Sequence, residues 1–282
     1  LSAIPVENFC LSIAGVEIAG RRWRMGSRPV LALHGWLDNA ASFDRLAPLL
    51  PDTDLVALDL AGHGLSYHRT PQAAYNVWDD LPDIVRVADA LGWTRFHLLG
   101  HSRGAIISGL LTAALPQRIL GTVLLDGLAP PPLPIAETFA QLGRHLEEHL
   151  REPRVPARYE TQQRALEVRC RVGRIGPEAA WPIVERGLLE VDGAWQWRAD
   201  ARLNFASAFK LNAEQIALLL ETLGRQPHLL VMAEQGLAQR MQGGEQLQGL
   251  NWRSLPGGHH FHLETDAVAA VAEEINKFWR DQ

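Results

Sequence analysis

The sequence predicts an α/β protein, a mostly parallel sheet flanked by helices, and three observations predict it. Short apolar runs alternate with helix-like stretches through residue 126. The connections between those runs are too long for hairpins, as parallel pairing requires. The runs also end in residues that carry chemistry: His34-Gly35, Asp59, Gly100-His101-Ser102 and Asp126. In open sheets of this kind ligands bind outside the carboxyl ends of the strands, so residues far apart in the chain meet on one edge.

Phe9 to Ile13 and Val16 to Trp23 alternate around Ala14-Gly15 and read as a β-hairpin. Arg28 to Gly35 is a buried strand, 36–42 a loop, and Phe43 to Leu50 a short helix stopped by Pro51. Asp54 to Leu60 is a second buried strand, closed by Ala61-Gly62-His63-Gly64. Asn76 to Leu91 has helical apolar spacing, with Pro82 marking a start or kink and Gly92 the end. Phe96 to Gly100 is a strand, Ile106 to Leu115 a helix, and Gly121 to Leu125 another strand. After Ala129-Pro130-Pro131-Pro132-Leu133-Pro134, a stiff connector, the chain becomes mostly helical and rich in charge to about Phe209. Within it, Asp192-Gly193 stands between Leu188-Leu189 and Trp195-Gln196-Trp197, as a turn or hairpin. The first pattern then resumes: helix Ala213 to Leu223, strand Pro227 to Met232, strand Asn251 to Leu255, a loop over 256–264, and helix Ala267 to Trp279. The organisation expected is a core of 1–128 and 210–282 with an inserted helical cap at 129–209. The arginines of the cap, from Arg144 to Arg174, read as solvated helix surface paired with Glu rather than as an anion-binding face. Trp36, Trp195 and Trp197 are candidates for the pocket wall or for packing.

A chain of 282 residues with 47% hydrophobic content suits one large domain carrying an insertion. Its net charge of −5 gives no electrostatic case for nucleic acid or an acidic membrane surface. The two cysteines, Cys10 and Cys170, match no zinc or redox spacing, so no metal, cofactor or disulfide framework is expected. No apolar run reaches the roughly 18 residues of a membrane span, and no basic segment precedes an apolar signal-like region. The expectation is a cytoplasmic protein acting on a small-molecule substrate.

The centre of the sequence is Gly100-His101-Ser102-Arg103-Gly104, set between a strand and a helix. Strand, sharp turn and helix make a nucleophile elbow, which lifts a Ser hydroxyl clear of the sheet above a helix N-terminus. A Ser hydroxyl needs a base to take its proton, a group to orient that base, and donors for the oxyanion.

Four ordered motifs supply candidates: His34-Gly35-Trp36, Asp59-Leu60-Ala61-Gly62-His63-Gly64-Leu65-Ser66, the elbow itself, and Gly258-His259 five residues before Glu264. On these the chain resembles an α/β-hydrolase nearly end to end. The run His34-Gly35-Trp36-Leu37-Asp38-Asn39-Ala40-Ala41-Ser42-Phe43 is similar to the serine hydrolase-like branch of that family. The resemblance implies Ser102 as nucleophile, His259 rather than His260 or His262 as base, and the backbone N–H groups of Trp36 and Arg103 as oxyanion hole. His34 and His63 read as structural loop residues. The His-x-x-His spacing of 259 and 262 lacks a recognisable carboxylate or Cys partner for a metal.

The sequence departs from the family pattern at the acid. The family usually carries Asp a few residues past the strand ending at Met232, and here Gly236 holds that position. Asp126 is the favoured replacement, since some α/β-hydrolases, the haloalkane dehalogenases among them, place their acid after the strand that follows the elbow. Glu234 is the alternative. Arg103 is a second departure: its head either pairs with a structural carboxylate or faces the pocket to select an acidic substrate. The resulting expectation is a serine hydrolase (carboxylesterase-like) cleaving an ester, thioester or related carbonyl bond. Carbon–carbon bond hydrolysis or lyase chemistry on the same Ser–His pair is the alternative, and a hydrolase fold retained only for binding is another. Chemistry that needs an Asp nucleophile is excluded by Ser at 102.

Overall fold

Strand alternation decides how the sheet is covered. In β-strands successive side chains point to opposite faces. Val30, Ala32, Leu99, Val123, Leu125 and Val231 therefore share one buried cluster with Phe43, Val271, Ile275 and Trp279, while Leu31, Leu33, Val56, Leu58 and Leu98 share another with Ile84, Val87, Ile107 and Leu111. The computed structural model describes residues 6–153, 155–237 and 247–282.

The hairpin forms as expected: β1 (Glu7–Ile13) pairs antiparallel with β2 (Val16–Arg24), with Ile13 opposite Val16. β3 (Gly26–Leu33) and β4 (Asp52–Leu58) then pair in parallel. Between them the expected short helix at 43–50 is replaced by two 3-10 turns, Ala40–Phe43 and Ala47–Leu49. The first is capped by Asn39, whose side chain accepts from the Ala41 N–H, and Pro48 sits in the second. The helix expected from 76 divides into a 3-10 turn at Val77–Asp80 and α1 (Leu81–Ala90), with Pro82 in the first turn of α1, where its missing N–H costs nothing. β5 (Phe96–His101), α2 (Arg103–Ala114) and β6 (Ile119–Leu125) follow.

Residues 129–209 leave the sheet and carry α3 (Thr138–His149), β7 (Arg158–Tyr159), α4 (Gln162–Gly173), α5 (Pro177–Gly187), β8 (Leu188–Val191) and β9 (Ala194–Trp197). β8 and β9 form the hairpin at Asp192-Gly193, both residues in the left-handed region, and β7 adds a third strand that the sequence pattern did not suggest. This segment forms an apolar cluster with Leu263, including Leu166, Ala180, Ile183 and Val184, against which Trp181, Trp195 and Trp197 pack. The chain then returns through α6 (Ala213–Gly224), β10 (His228–Gln235), β11 (Trp252–Gly258) and α7 (Val268–Arg280).

The main sheet has eight strands in the order β1-β2-β4-β3-β5-β6-β10-β11, parallel from β4 to β11. β3, β5, β6 and β10 are neighbours, so the loops after their carboxyl ends lie side by side. Among the described residues no helix is long and apolar enough to cross a membrane.

Candidate active site

The elbow depends on two missing side chains. A Cβ on Gly104 would lie 1.9 Å from the Leu33 carbonyl oxygen, and one on Gly100 would lie 2.4 Å from the Gly104 oxygen. Only Gly at both positions lets the first turn of α2 press onto the ends of β3 and β5. Ser102 takes the strain between them, at φ 52° and ψ −113°, outside the ordinary wells of an L-residue. Its own N–H is tied to the Leu125 carbonyl at 2.9 Å, which locks the elbow to the end of β6.

One residue further along β6 stands Asp126, fully buried and also at positive φ. Its N–H donates to Val231 of β10 at 2.8 Å. Its carboxylate accepts the N–H of Ala233 at 3.1 Å and of Leu237 at 2.9 Å. Gly236 explains itself at this point. A Cβ there would lie 2.2 Å from Asp126 Oδ2, so the position where the family usually carries Asp is empty because the Asp126 carboxylate fills the same space from the neighbouring strand.

His259 lies in the loop after β11. Its Nε2 is 2.9 Å from Ser102 Oγ and its Nδ1 is 2.5 Å from Asp126 Oδ2. The carboxylate only accepts, so Nδ1 carries the proton and Nε2 is left to receive one from the hydroxyl. The spacing to Glu264 also has a reason: the Glu264 carboxylate accepts the Gly258 N–H at 3.0 Å and pins the start of the loop. Neither competing histidine reaches Ser102. His262 bonds Ser42 Oγ at 3.0 Å, and His260 stands 3.3 Å from Asp38. Glu234 has an exposed side chain and belongs to no contact of this group.

Trp36 follows the end of β3 and Arg103 opens α2, and among the described residues neither backbone N–H donates to a partner. The Trp36 ring is half exposed and donates Nε1–H to the Leu203 carbonyl at 3.0 Å. The Arg103 head is held by a buried carboxylate. It donates to Asp80 at 2.7 Å, and Asp80 in turn pairs with Arg69 at 3.2 Å, so the choice left open by the sequence falls to the structural carboxylate.

His34 and His63 act as loop staples. Each holds a carbonyl through Nδ1 (Gly35 at 2.7 Å, Ala61 at 3.1 Å) and accepts a backbone N–H through Nε2 (Leu60 at 3.0 Å, Leu37 at 3.2 Å). Burial pulls both below the ordinary histidine range, so both stay neutral.

Behind His259, Asp38, His101 and His260 bring ligand-type atoms within 4.8 Å of one another, all buried. The cation at this carboxylate is already supplied by Arg169 of α4, whose guanidinium bonds Asp38 Oδ1. Nothing local in the chain marks this cluster, because Arg169 lies 131 residues from its partner. Arg169 departs from the surface-pair reading of the arginines from Arg144 to Arg174. Arg151 pairs with Glu147 and Arg164 with Glu167 at the expected helical spacings, whereas Arg169 points into the core. A cavity of about 540 Å³ is lined by Leu37, Arg151, Val168, Arg169, Trp197 and Phe205, so Trp197 takes part in both packing and a cavity wall.

The profile of the α/β hydrolase fold family matches residues 28–266, most of the chain and all four motifs. The chain belongs to the α/β-hydrolase family. Within it, the chain is 31% identical to a serine hydrolase-like protein of Danio rerio, over 95% of this chain and 88% of that one. It is also similar to the crystal structure of a hypothetical protein from Pseudomonas aeruginosa PAO1, at 42% identity and a TM-score of 0.93, covering 97% of this chain and 99% of that one. The thioesterase domain from the curacin biosynthetic pathway shares the fold, with a TM-score of 0.83, 23% identity, and coverage of 97% and 99%.

Proposed function

We propose that this α/β-hydrolase is a serine hydrolase that cleaves an ester, thioester or related carbonyl bond through an acyl-enzyme on Ser102. The observation that carries the reading is the unbroken chain from Ser102 Oγ to His259 Nε2, 2.9 Å, and from His259 Nδ1 to Asp126 Oδ2, 2.5 Å. Ser102 Oγ attacks the carbonyl carbon as His259 takes its proton at Nε2. Asp126 keeps the imidazole in the Nδ1–H tautomer and stabilises the imidazolium. The N–H groups of Trp36 and Arg103 bind the oxyanion, and Arg103 serves through its backbone alone. His259 then gives its proton to the leaving group, water takes the vacated place, and the same cycle in reverse frees the acid. Residues 129–209 act as the cap over this edge, and small-molecule substrates enter beneath it. The serine hydrolase-like name of the Danio rerio relative agrees with this reading.

The reading that the fold is kept only for binding drew its support from the missing Asp at 236, and Asp126 in the same space removes that support. The test is labelling with a fluorophosphonate at neutral pH, followed by pre-steady-state kinetics on p-nitrophenyl esters. Labelling of the wild type and not of Ser102→Ala is expected, with a burst of nitrophenol equal to the enzyme present. Folded wild type that takes no label sinks the proposal, and labelling together with a burst disfavours lyase chemistry, which forms no acyl-enzyme.

A further inference from the structure

Histidine 101 sits between the elbow and the back of His259, and the chemistry above leaves it unused. It is fully buried, and its Nε2 lies 2.8 Å from the His259 carbonyl oxygen. A carbonyl only accepts, so Nε2 carries the proton and holds the main chain of His259 in place. The rings of His101 and His259 lie 4.7 Å apart between centroids, and that of His262 packs at 4.1 Å on His101. The other nitrogen of His101, Nδ1, has no hydrogen-bond partner among the described residues and faces Asp38 Oδ2 at 3.6 Å.

Two acceptors facing each other in a dry site are costly unless a cation neutralises the carboxylate. Arg169 does so. Its guanidinium bonds Asp38 Oδ1 and comes within 3.4 Å of His260 Nε2, while His260 stands 3.3 Å from Asp38 Oδ2. Burial opposes the charge on Asp38, but the Arg169 guanidinium beside it overrides that cost and holds the carboxyl well below the usual carboxylate range. Burial pulls His101 to about 4, so the ring is neutral when the enzyme works. Arg169 thus belongs to α4 of the inserted segment and to the wall of the 540 Å³ cavity, and it is two side chains away from the His259 backbone.

We propose that Arg169, Asp38 and His101 form a brace that positions His259, so that the seating of α4 is linked to the competence of the Ser102–His259 pair. His101 is a positioning residue in this scheme. The brace rests on the reading of Ser102 and His259 as nucleophile and base. Removing His101 frees the His259 loop, and removing Arg169 leaves Asp38 charged and unpaired, which shifts His101 by the same route. A misplacement of about 1 Å can cost on the order of 100-fold in rate.

The experiment measures the fluorophosphonate labelling rate constant and the melting temperature of the full chain carrying His101→Leu, His101→Gln, Arg169→Met, and His101→Leu with Arg169→Met. Labelling by a small probe removes any direct contact of Arg169 with a larger substrate. His101→Leu is expected to slow labelling by about 10- to 100-fold, and His101→Gln, whose amide N–H can reach the same carbonyl, to recover to within about threefold. Arg169→Met is expected to slow labelling by about tenfold alone and to add nothing once Leu stands at 101, since both act through one contact. His101→Leu labelling at the wild-type rate overturns the brace. Equal losses in the folded Leu and Gln variants overturn it too, as do losses at 101 and 169 that multiply. Should His101→Leu fail to fold, Arg169→Met decides alone, and wild-type labelling in it is the overturning result. A wild type that does not label at all overturns the serine hydrolase reading, and the brace's role in catalysis with it.

Discussion

Asp59 and Asp126 occupy matching places and do different things. Each is the residue directly after a parallel strand, β4 and β6, and each is fully buried. Each carboxylate accepts two backbone N–H groups: Ala40 and Leu65 for Asp59, Ala233 and Leu237 for Asp126. Each lies where a Cβ would otherwise be, 2.3 Å from the nearest carboxyl atom for Gly64 and 2.2 Å for Gly236. The difference is the remaining partner. Asp59 takes the Arg186 guanidinium of α5, at 2.8 to 3.1 Å through Nε and Nη2, a permanent cation that is itself 7% exposed. Asp126 takes His259, which can gain and lose a proton. The two strand-end carboxylates of this chain thus form sockets of one kind, and what differs is the group plugged in: a permanently charged arginine at Asp59, an ionisable histidine at Asp126.

The largest expected effect breaks the second socket. Asp126→Asn keeps the shape and one acceptor but favours the wrong His259 tautomer, so kcat on an activated ester should fall by about 10⁴-fold. The Gly236 seat remains, but the Asn amide can accept only one of the Ala233 and Leu237 N–H groups, so stability should fall by about 1–3 kcal/mol while the protein still folds. Steady-state kinetics beside a thermal melt check this, and a kcat within tenfold of wild type would remove Asp126 from the mechanism.

The matching change in the first socket should act on stability. Arg186→Met leaves Asp59 charged, buried and held by two amides alone, a loss of about 3–5 kcal/mol. It also releases Asn8, whose Oδ1 accepts from Arg186 Nη1 at 2.9 Å. Urea denaturation reads the loss, and the labelling rate of the protein that remains folded should fall far less than in Asp126→Asn. If instead Arg186→Met loses rate as Asp126→Asn does while its stability holds, the division of the two sockets is wrong.

A weaker effect follows from the histidines packed between the sockets. His34, His63, His101 and His262 are all pulled below the ordinary histidine value by burial, His101 to about 4. Their unfolded forms bind protons below about 6.5 while the folded forms do not, so stability rises with pH across that interval. Stability should be complete above pH 6.5 and fall as pH drops towards 4, with His101 alone contributing about 2 kcal/mol between pH 7 and pH 5. Melting curves at fixed ionic strength test the sign, and a melting temperature unchanged from pH 7 to pH 5 would show that these rings are not held neutral.

What could be read from the sequence follows the range of each interaction. The Ser102 elbow was legible because its glycines, strand and helix are local, and His259 because Gly258 and Glu264 frame it within one loop. The fold was legible because strand alternation and helix spacing are local too, although the turns at 40–43 and 47–49 were too short to tell from a helix. Gly236 could be seen only as a gap, since its cause is a carboxylate 110 positions earlier that fills the space of its Cβ. Arg169 and Arg186 were hidden among surface-like arginines, because nothing near them in the chain names Asp38 or Asp59 as the partner. The sockets were visible as Asp residues, but their plugs were not.

The smallest expected effect sharpens the comparison by removing the other acid that the sequence offered. Glu234 lies on β10 one residue past Ala233, whose N–H feeds Asp126, and its side chain is exposed. Among the described residues it has no Gly seat, no pair of backbone donors and no histidine, so by the socket argument it has no claim on His259. Glu234→Gln should leave kcat and KM within twofold of wild type and the melting temperature within about a degree, as surface substitutions do. In the Asp126→Asn background it should likewise take nothing from the residual rate. A further fall in that double variant, measured by single-turnover kinetics, would mean that Glu234 reaches His259 once Asp126 is gone, and that a buried socket is not required for the acid in this fold.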